Sequence, residues 1–599
     1  MCGINLIFAY GAAAPPVDPA EIVRVRDAMV PRGPDDAGVW LDADRQIGLG
    51  HRRLSIIDPS PAGHQPMRLD AAVSGVPEER SPVIVFNGEI YNFEALRSDL
   101  EAGGAVFATH SDTEVLLQLY RRDGAAMVAR LRGMYAFAIW DPVRRGVLLA
   151  RAPFGIKPLY LSDDGATLRV ASQVRALRSG GTVDMSPDPA GHVGFFLLGY
   201  VPEPHTLYRN VHPLAAGTTL WLDAAGNRRE TRFFDLTAEL ASAAGTRFDA
   251  ATLHEALAGS VAAHLVADVP VGVFLSAGLD STAIAHLVRE VADSDLRTVT
   301  LAFEEYRDRP EDEAPLAERT ARTLGATQAT HRVRRSDFAD ARGALMASMD
   351  QPSIDGVNSW FVARAAAASG LKVALSGIGG DELFAGYPSF TGIPRLAGAL
   401  GWTRALPGLG RAFRAVSAPL LRRATSPKYA GLFEYGTSVP DAYLLRRALY
   451  MPWELPDIMD PDMAAAGWNA LAMRAALAGT IGGIGTGRAA VTALEMSWYM
   501  RGQLLRDADW AGMAHSLEIR TPLVDIDLFR ALAPMLAGPN PPDKRALGRA
   551  PGIALPDDIL NRPKTGFAVP VRDWLQAGET AAPRGLRGWA QSVYADFTG

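Results

Sequence analysis

The chain begins Met1-Cys2-Gly3-Ile4, and Cys2 is its only cysteine. Removal of Met1 would leave that thiol on the residue carrying the free α-amine, so nucleophile and base become one residue. A thiol must shed its proton to attack. An α-amine with a pKa of roughly 8 is partly neutral at cell pH and can take it, directly or through a water. A second stretch with chemistry in it is Leu275-Ser276-Ala277-Gly278-Leu279-Asp280-Ser281-Thr282, set between a strand-like run and a helix-like one. Gly278 permits close backbone approach, and a helix start offers N–H groups and a positive dipole end to an anion. Ser281 can donate a hydroxyl, and Asp280 can help hold Mg²⁺ on phosphates. The Gly-Lys-Ser/Thr loop of γ-phosphate transfer is absent, which suits an enzyme that retains pyrophosphate and transfers AMP. A third stretch is Ser376-Gly377-Ile378-Gly379-Gly380-Asp381-Glu382. Its glycines allow backbone contact with a flat base or an acyl-adenylate, and it places carboxylates at the same mouth. Each loop alone reads equally well as a capped strand-to-helix turn; as a pair they would clamp one nucleotide from two sides.

The elements that must hold these residues change character along the chain. To about Leu236, strands alternate with turns: an apolar first strand from Ile4, Val83–Phe86 ending at Asn87-Gly88, and Met134–Trp140 in a hairpin with Gly146–Ala150. Helices are expected at Ala20–Met29 and Thr113–Arg121. This is an α+β pattern with largely antiparallel strands. Residues 237–249 read as a linker. After about Ala250, strand-like runs (Val271–Leu275, Thr298–Phe303, Lys372–Leu375) alternate with Ala-rich helical runs. That predicts a parallel βαβ sheet with ligands at strand C-termini. Residues 389–490 read as a helical insertion with solvated basic faces.

At 599 residues the chain is too long for one core, so two large domains are expected. A formal net charge of −6 supplies no field toward nucleic acid or anionic membrane. A lone cysteine excludes an internal disulfide and multi-cysteine zinc sites, and fits a reducing, cytoplasmic location. No apolar run reaches membrane-spanning length.

Taken together, these residues resemble the glutamine-hydrolysing asparagine synthetases. Met-Cys-Gly-Ile is how that family begins. Arg32-Gly33-Pro34-Asp35, His51–Asp58, Asn87-Gly88-Glu89-Ile90-Tyr91-Asn92 and Ser111-Asp112-Thr113-Glu114 look like its glutaminase motifs. Ser276–Ser281 resembles its pyrophosphate loop. Asp509 with Met513–Arg520, and Arg562-Pro563-Lys564-Thr565-Gly566-Phe567, look like its later motifs. The resemblance implies a four-layer, antiparallel N-terminal-nucleophile glutaminase domain over 1–236. It further implies an α/β parallel-sheet ATP-pyrophosphatase domain over 250–580, with the insertion at about 389–490.

The resemblance also implies roles. Cys2 attacks the glutamine side-chain amide, with Asn87 and Gly88 as oxyanion hole. Arg53 pairs with the α-carboxylate of glutamine; Glu89 and Asp112 hold its α-ammonium. Ser276, Gly278, Asp280 and Ser281 face pyrophosphate, and Ser376 and Gly377 lie near the nucleotide. Asp280 and Asp381 hold Mg²⁺ with ATP. Lys564 offers a cation to the developing charge, and Arg520 orders the substrate pocket. The implied partners are glutamine, ATP and aspartate or another carboxylic acid, and a homodimer is left open. Bland readings stand beside these: Arg53 as a surface ion pair, Asn87-Gly88 as a hairpin turn, Asp112 as a helix N-cap.

Two departures bear on substrate. Ala277 stands where the family usually has Gly, which is acceptable if its φ is negative. Ile378 stands where the family commonly has Asp or Glu. Either another carboxylate such as Glu382 takes over, or the acceptor is not aspartate. A glutaminase or binding protein with an inactive second half is the remaining alternative, opposed by Asp280, Ser281, Asp381 and Lys564.

Overall fold

A computed structural model describes residues 2–292, 295–406, 408–424, 426–562, 570, 574 and 585–598. Two six-stranded antiparallel sheets make up the first part of the chain. The first places Gly3–Ala9 at its centre, between Thr167–Ala171 and Ile47–Arg53, with Asp36–Leu41 at the edge. The second runs from Arg228–Arg232 through Thr218–Asp223, Gly146–Arg151 and Gly133–Asp141 to Val83–Ile90 and Met67–Arg68. Period-two alternation decides what each strand buries. Ile4, Leu6 and Phe8 meet Val83, Val85, Ala136 and Ala138 between the sheets. Ile7 and Ala9 turn outward, where Ile22 of helix Pro19–Asp27 packs on them. On the far side, Ile84 and Phe86 are covered by helices Phe93–Ala102 and Asp112–Asp123. The result is helix, sheet, sheet, helix.

One strand departs from the sequence reading in a way that matters. Val83–Ile90 does not end at Asn87-Gly88 but runs through it, pairing Asn87 with Ala136 and Gly88 with Tyr135. Neither residue is therefore in a hairpin turn. Gly88 sits at φ +147°, and a β-carbon there would come within 2.0 Å of the Met134 carbonyl oxygen, so close strand contact, rather than a turn, requires glycine.

The second part is a five-stranded parallel sheet in the order Thr327–Val333, Arg297–Phe303, Val271–Phe274, Val373–Leu375, Glu518–Arg520. The expected linker contains a helix, Leu236–Ser242, capped by Asp235, and Asp249 then caps Ala250–His264. The insertion is helical from Ser389–Leu400 to Arg488–Leu494, and continues as a π-helical turn series, Glu495–Leu505, into helix Arg506–Met513. Ion pairs tie the two parts together: Arg32, buried, forks onto Asp509, and Arg132, half-buried, pairs with Asp525.

Candidate active site

Cys2 sits just before the central strand of the first sheet, 7% exposed. Its backbone N–H donates to Asn87 Oδ1 of the facing sheet at 2.9 Å. That bond orients the amide, and among the described residues Asn87 Nδ2 is left buried with no partner. An unmade buried donor is costly, so this nitrogen is a ready donor for an oxyanion beside the thiol. Burial pushes the Cys2 thiol pKa up, opposed in part by the backbone of Leu54 and by Arg53. Unaided, the thiol therefore stays protonated, and a local base is needed.

Cys2, Arg53, Gly88, Glu89 and Asp112 line one small cavity. Arg53 is 5% exposed and not a surface ion pair. Its guanidinium is fixed by the carbonyls of Ser60, Ile57 and Asp58. Gly63 makes room for it, since a β-carbon there would lie 1.9 Å from Arg53 Nη2. Asp112 is not the helix cap: Ser111 caps Asp112–Asp123 through the Thr113 N–H. Asp112 Oδ2 instead accepts from Ile90 N–H at 3.1 Å. Burial raises Asp112 to about 6. Glu89 is pushed well up by burial, then by Glu518 and Asp112. Two buried carboxylates whose charged forms burial disfavours mark a place where a ligand's cation would be welcome.

The second centre lies at the C-terminal ends of the parallel strands. Ser276, Gly278, Asp280, Ser281, Ser376 and Gly377 all line one cavity of about 560 Å³, and Asp381 joins them. Ser281 Oγ accepts from the Ser276 N–H at 3.1 Å, and Ser276 Oγ from the Gly278 N–H at 3.0 Å, closing the loop ahead of helix Leu279–Val291. Ala277 is not among the residues with positive φ, so its β-carbon is no obstacle. The two loops touch: a β-carbon on Gly380 would lie 2.6 Å from Asp280 Oδ1. Lys544, which the sequence reading missed for want of a motif, places its ammonium against Asp280 and, at 2.8 Å, Asp381. Two carboxylates converging on one cation are the donor set a magnesium ion accompanied by phosphate oxygens and water accepts. Lys564 lies outside the described residues.

Arg520 is not in this cavity. Strand alternation turns Ile519 toward it and carries Glu518 and Arg520 to the opposite face. There Arg520, fully buried, donates to Glu518 at 2.6 Å and to the carbonyls of His264 and Val266. Its Nη2 lies 3.9 Å from Glu89 Oε2, so it borders the first pocket from across the domain boundary. Glu382 does not line the cavity either. It is buried behind it, accepting from Tyr387 OH at 2.8 Å. Arg32 belongs to a motif read in the sequence, yet its role emerges only in space. Its Nε donates to the Cys2 carbonyl at 3.0 Å, and its fork grips Asp509 at 2.7 and 3.0 Å.

Comparison with known proteins assigns both halves. Residues 1–234 match the glutamine amidotransferase domain family, and residues 252–586 match the asparagine synthase family. The chain belongs to the glutamine-hydrolysing asparagine synthetases. It is 36% identical to a putative glutamine-hydrolyzing asparagine synthetase of Mycobacterium tuberculosis, covering 97% of this chain and 89% of that protein. It is 31% identical to glutamine-hydrolyzing asparagine synthetase 1 of Bacillus subtilis, covering 96% and 88%. It is also 30% identical to amidase chry2 of Gibberella zeae, over 65% of this chain and 60% of that one. As an asparagine synthetase family member, the enzyme is a carbon–nitrogen ligase with glutamine as nitrogen donor, and its family uses ATP. Among the described residues no helix is long and apolar enough to cross a membrane.

Proposed function

We propose that this enzyme releases ammonia from glutamine at Cys2 and uses it to amidate a carboxylic acid activated as its acyl-adenylate, with aspartate as the leading acceptor. The observation that carries the reading is the convergence of the 276–281 and 376–381 loops, with Asp280 and Asp381, on a single cavity.

In the first pocket, the Cys2 α-amine, exposed when Met1 is removed, takes the thiol proton. The thiolate adds to the amide carbon of glutamine. Asn87 Nδ2 and the Gly88 N–H stabilise the oxygen that becomes negative, and the amine returns a proton to the departing ammonia. Arg53 offers a planar fork to the α-carboxylate, while Glu89 and Asp112 face the α-ammonium. Water then releases glutamate from the thioester. In the second pocket, Ser276, Gly278 and Ser281 receive the β- and γ-phosphates of ATP as the acceptor carboxylate attacks the α-phosphorus and pyrophosphate leaves. Magnesium bound with ATP at Asp280 and Asp381 would neutralise phosphate charge. Ammonia from the first pocket then displaces AMP.

Ile378 supports a second reading, the same half-reactions on another carboxylate, because an apolar side chain stands on the cavity wall where an acid would serve aspartate. Partial reactions test the scheme. Cys2→Ala is expected to lose glutamine-dependent amidation while ammonia-dependent amidation persists. ATP–pyrophosphate exchange is expected only when an acceptor acid is present. Loss of both amidations at unchanged thermal stability would contradict the division of labour.

A further inference from the structure

The helical insertion carries a surface that neither half-reaction uses. Between positions 383 and 433 the sequence holds seven Lys and Arg and no Asp or Glu, in a chain whose net charge is −6. The total therefore hides a local basic excess. Charges beyond about 8 Å are screened at physiological salt, so at contact the local excess acts and not the total. The same stretch gathers exposed apolar side chains. Of the twelve large apolar residues exposed among the described residues, six fall between 402 and 429: Trp402, Leu406, Leu409, Val416, Leu420 and Tyr429. Trp402 at 62%, Val416 at 74% and Leu420 at 68% are the three most exposed of the twelve. Scattered single residues of this kind mean little, but a contiguous patch marks a contact surface. Helix Leu409–Ala424 shows how the patch is built. Its inner face sets Phe413 edge-on to Phe433 and brings Arg414 to Glu434 at 2.9 Å. Leu409, Val416 and Leu420 follow at intervals of two turns and one, so they share one line outside that face. Ala412, Ala415 and Pro419 are exposed beside them. The hydroxyls of this segment turn inward: Thr403 is buried, and so is Ser417 Oγ. The polar side chains left exposed between 402 and 421, among the described residues, are Arg404 and Arg411, and neither is in an ion pair.

From this surface we infer that the insertion docks on an anionic lipid membrane, with the apolar stripe and Trp402 set at the boundary of headgroups and acyl chains and the arginines on lipid phosphates. Charge complementarity selects the occupant. Arginine with no neighbouring acid on the exposed face attracts the phosphates of anionic lipid. An apolar stripe beside basic residues is the pattern of a helix that lies in a membrane interface, and tryptophan favours that boundary. A protein partner would instead meet a polar rim with hydrogen-bonding groups, and here those groups face inward. The acidic remainder of the chain is repelled by the same lipid, which orients the enzyme with the insertion toward the surface. The enzyme would rest on the membrane without crossing it, since among the described residues no helix is long and apolar enough to span one. None of the six apolar residues lines the Cys2 pocket or the adenylation cavity. Docking therefore sets where the reaction takes place and leaves its chemistry alone.

The test is co-sedimentation of the full-length enzyme with vesicles of phosphatidylglycerol mixed with phosphatidylcholine, against vesicles of phosphatidylcholine alone. Binding to the anionic vesicles is expected to be about tenfold or more stronger than to the neutral ones, and to weaken as salt rises from about 0.1 M to about 0.5 M. Val416→Glu combined with Leu420→Glu should weaken it about tenfold or more, and Arg411→Gln about fivefold. Tryptophan emission should shift to the blue on binding, and Trp402→Phe should lose that shift. Glutaminase turnover and unfolding midpoints, expected to match the wild type, check that the variants fold. Absence of binding to anionic vesicles, equal binding to neutral ones, or binding that survives the double substitution would overturn the inference. So would a concentration-dependent dimer in lipid-free buffer that the double substitution dissolves, because a second copy would then cover the stripe.

Discussion

Cys2 and Asn87 illustrate how much a single side-chain orientation decides. The Cys2 N–H fixes Asn87 Oδ1, so the amide nitrogen, buried and without a partner among the described residues, is the group the proposed mechanism turns to the oxyanion. Asn87→Ala is therefore expected to lower glutaminase kcat by about 10²–10³ while ammonia-dependent amidation continues, measured as glutamate and amide product in parallel assays. His51 makes a second prediction at this scale. Burial lowers its pKa to about 3, and its Nε2 pairs with the Phe86 carbonyl at 3.1 Å. An unfolded histidine takes up a proton near pH 6.5, and the folded one does not. The penalty is thus absent above that pH and grows as pH falls toward 3, at up to about 1.4 kcal/mol per pH unit. Unfolding midpoints of the wild type should drop relative to His51→Gln below about pH 6.5 and run parallel to it above pH 7.

Elements place these residues, and their legibility differed for physical reasons. The apolar run from Ile4 marks a buried strand without reference to any neighbour, and the pyrophosphate loop announces itself through local chemistry. Asn87-Gly88 carries a turn signature but sits mid-strand, because the register against Gly133–Asp141 outweighs local propensity. Ser111 rather than Asp112 caps its helix, a one-residue shift that frees Asp112 to face the pocket. Asp280 and Lys544 lie 264 positions apart in the sequence, so only folding juxtaposes them. Helix Arg506–Met513 serves two sites: Asp507 and Ala508 line the adenylation cavity, and Asp509 holds Arg32, which holds the Cys2 carbonyl. Replacing Arg32 by Ala would strand a buried carboxylate, at a cost of about 3–5 kcal/mol. The expected outcome is a lower melting temperature together with a larger loss of glutaminase activity than of ammonia-dependent amidation.

Across the whole molecule, two catalytic pockets are joined through a boundary of buried charge. Arg520 leaves the parallel sheet to stand against Glu89, and Arg32 crosses the other way to Asp509. This boundary is where the sequence reading of Arg520 fell short, since a motif was identified but neither the strand that carries it nor the face it turns. The paired domains and their order were readable from composition change and motifs. The acceptor was not, because Ile378 puts an apolar side chain on the cavity wall where the family commonly has an acid. The central claim is that nitrogen made at the first pocket is consumed by an acyl group activated with AMP at the second. Turnover of amide-¹⁵N glutamine with ATP and an acceptor acid, followed by mass spectrometry and nucleotide analysis, tests it most directly. The account requires ¹⁵N in the product amide with AMP and pyrophosphate formed in equal amount; release of ADP and phosphate, or a product amide without ¹⁵N, would contradict it.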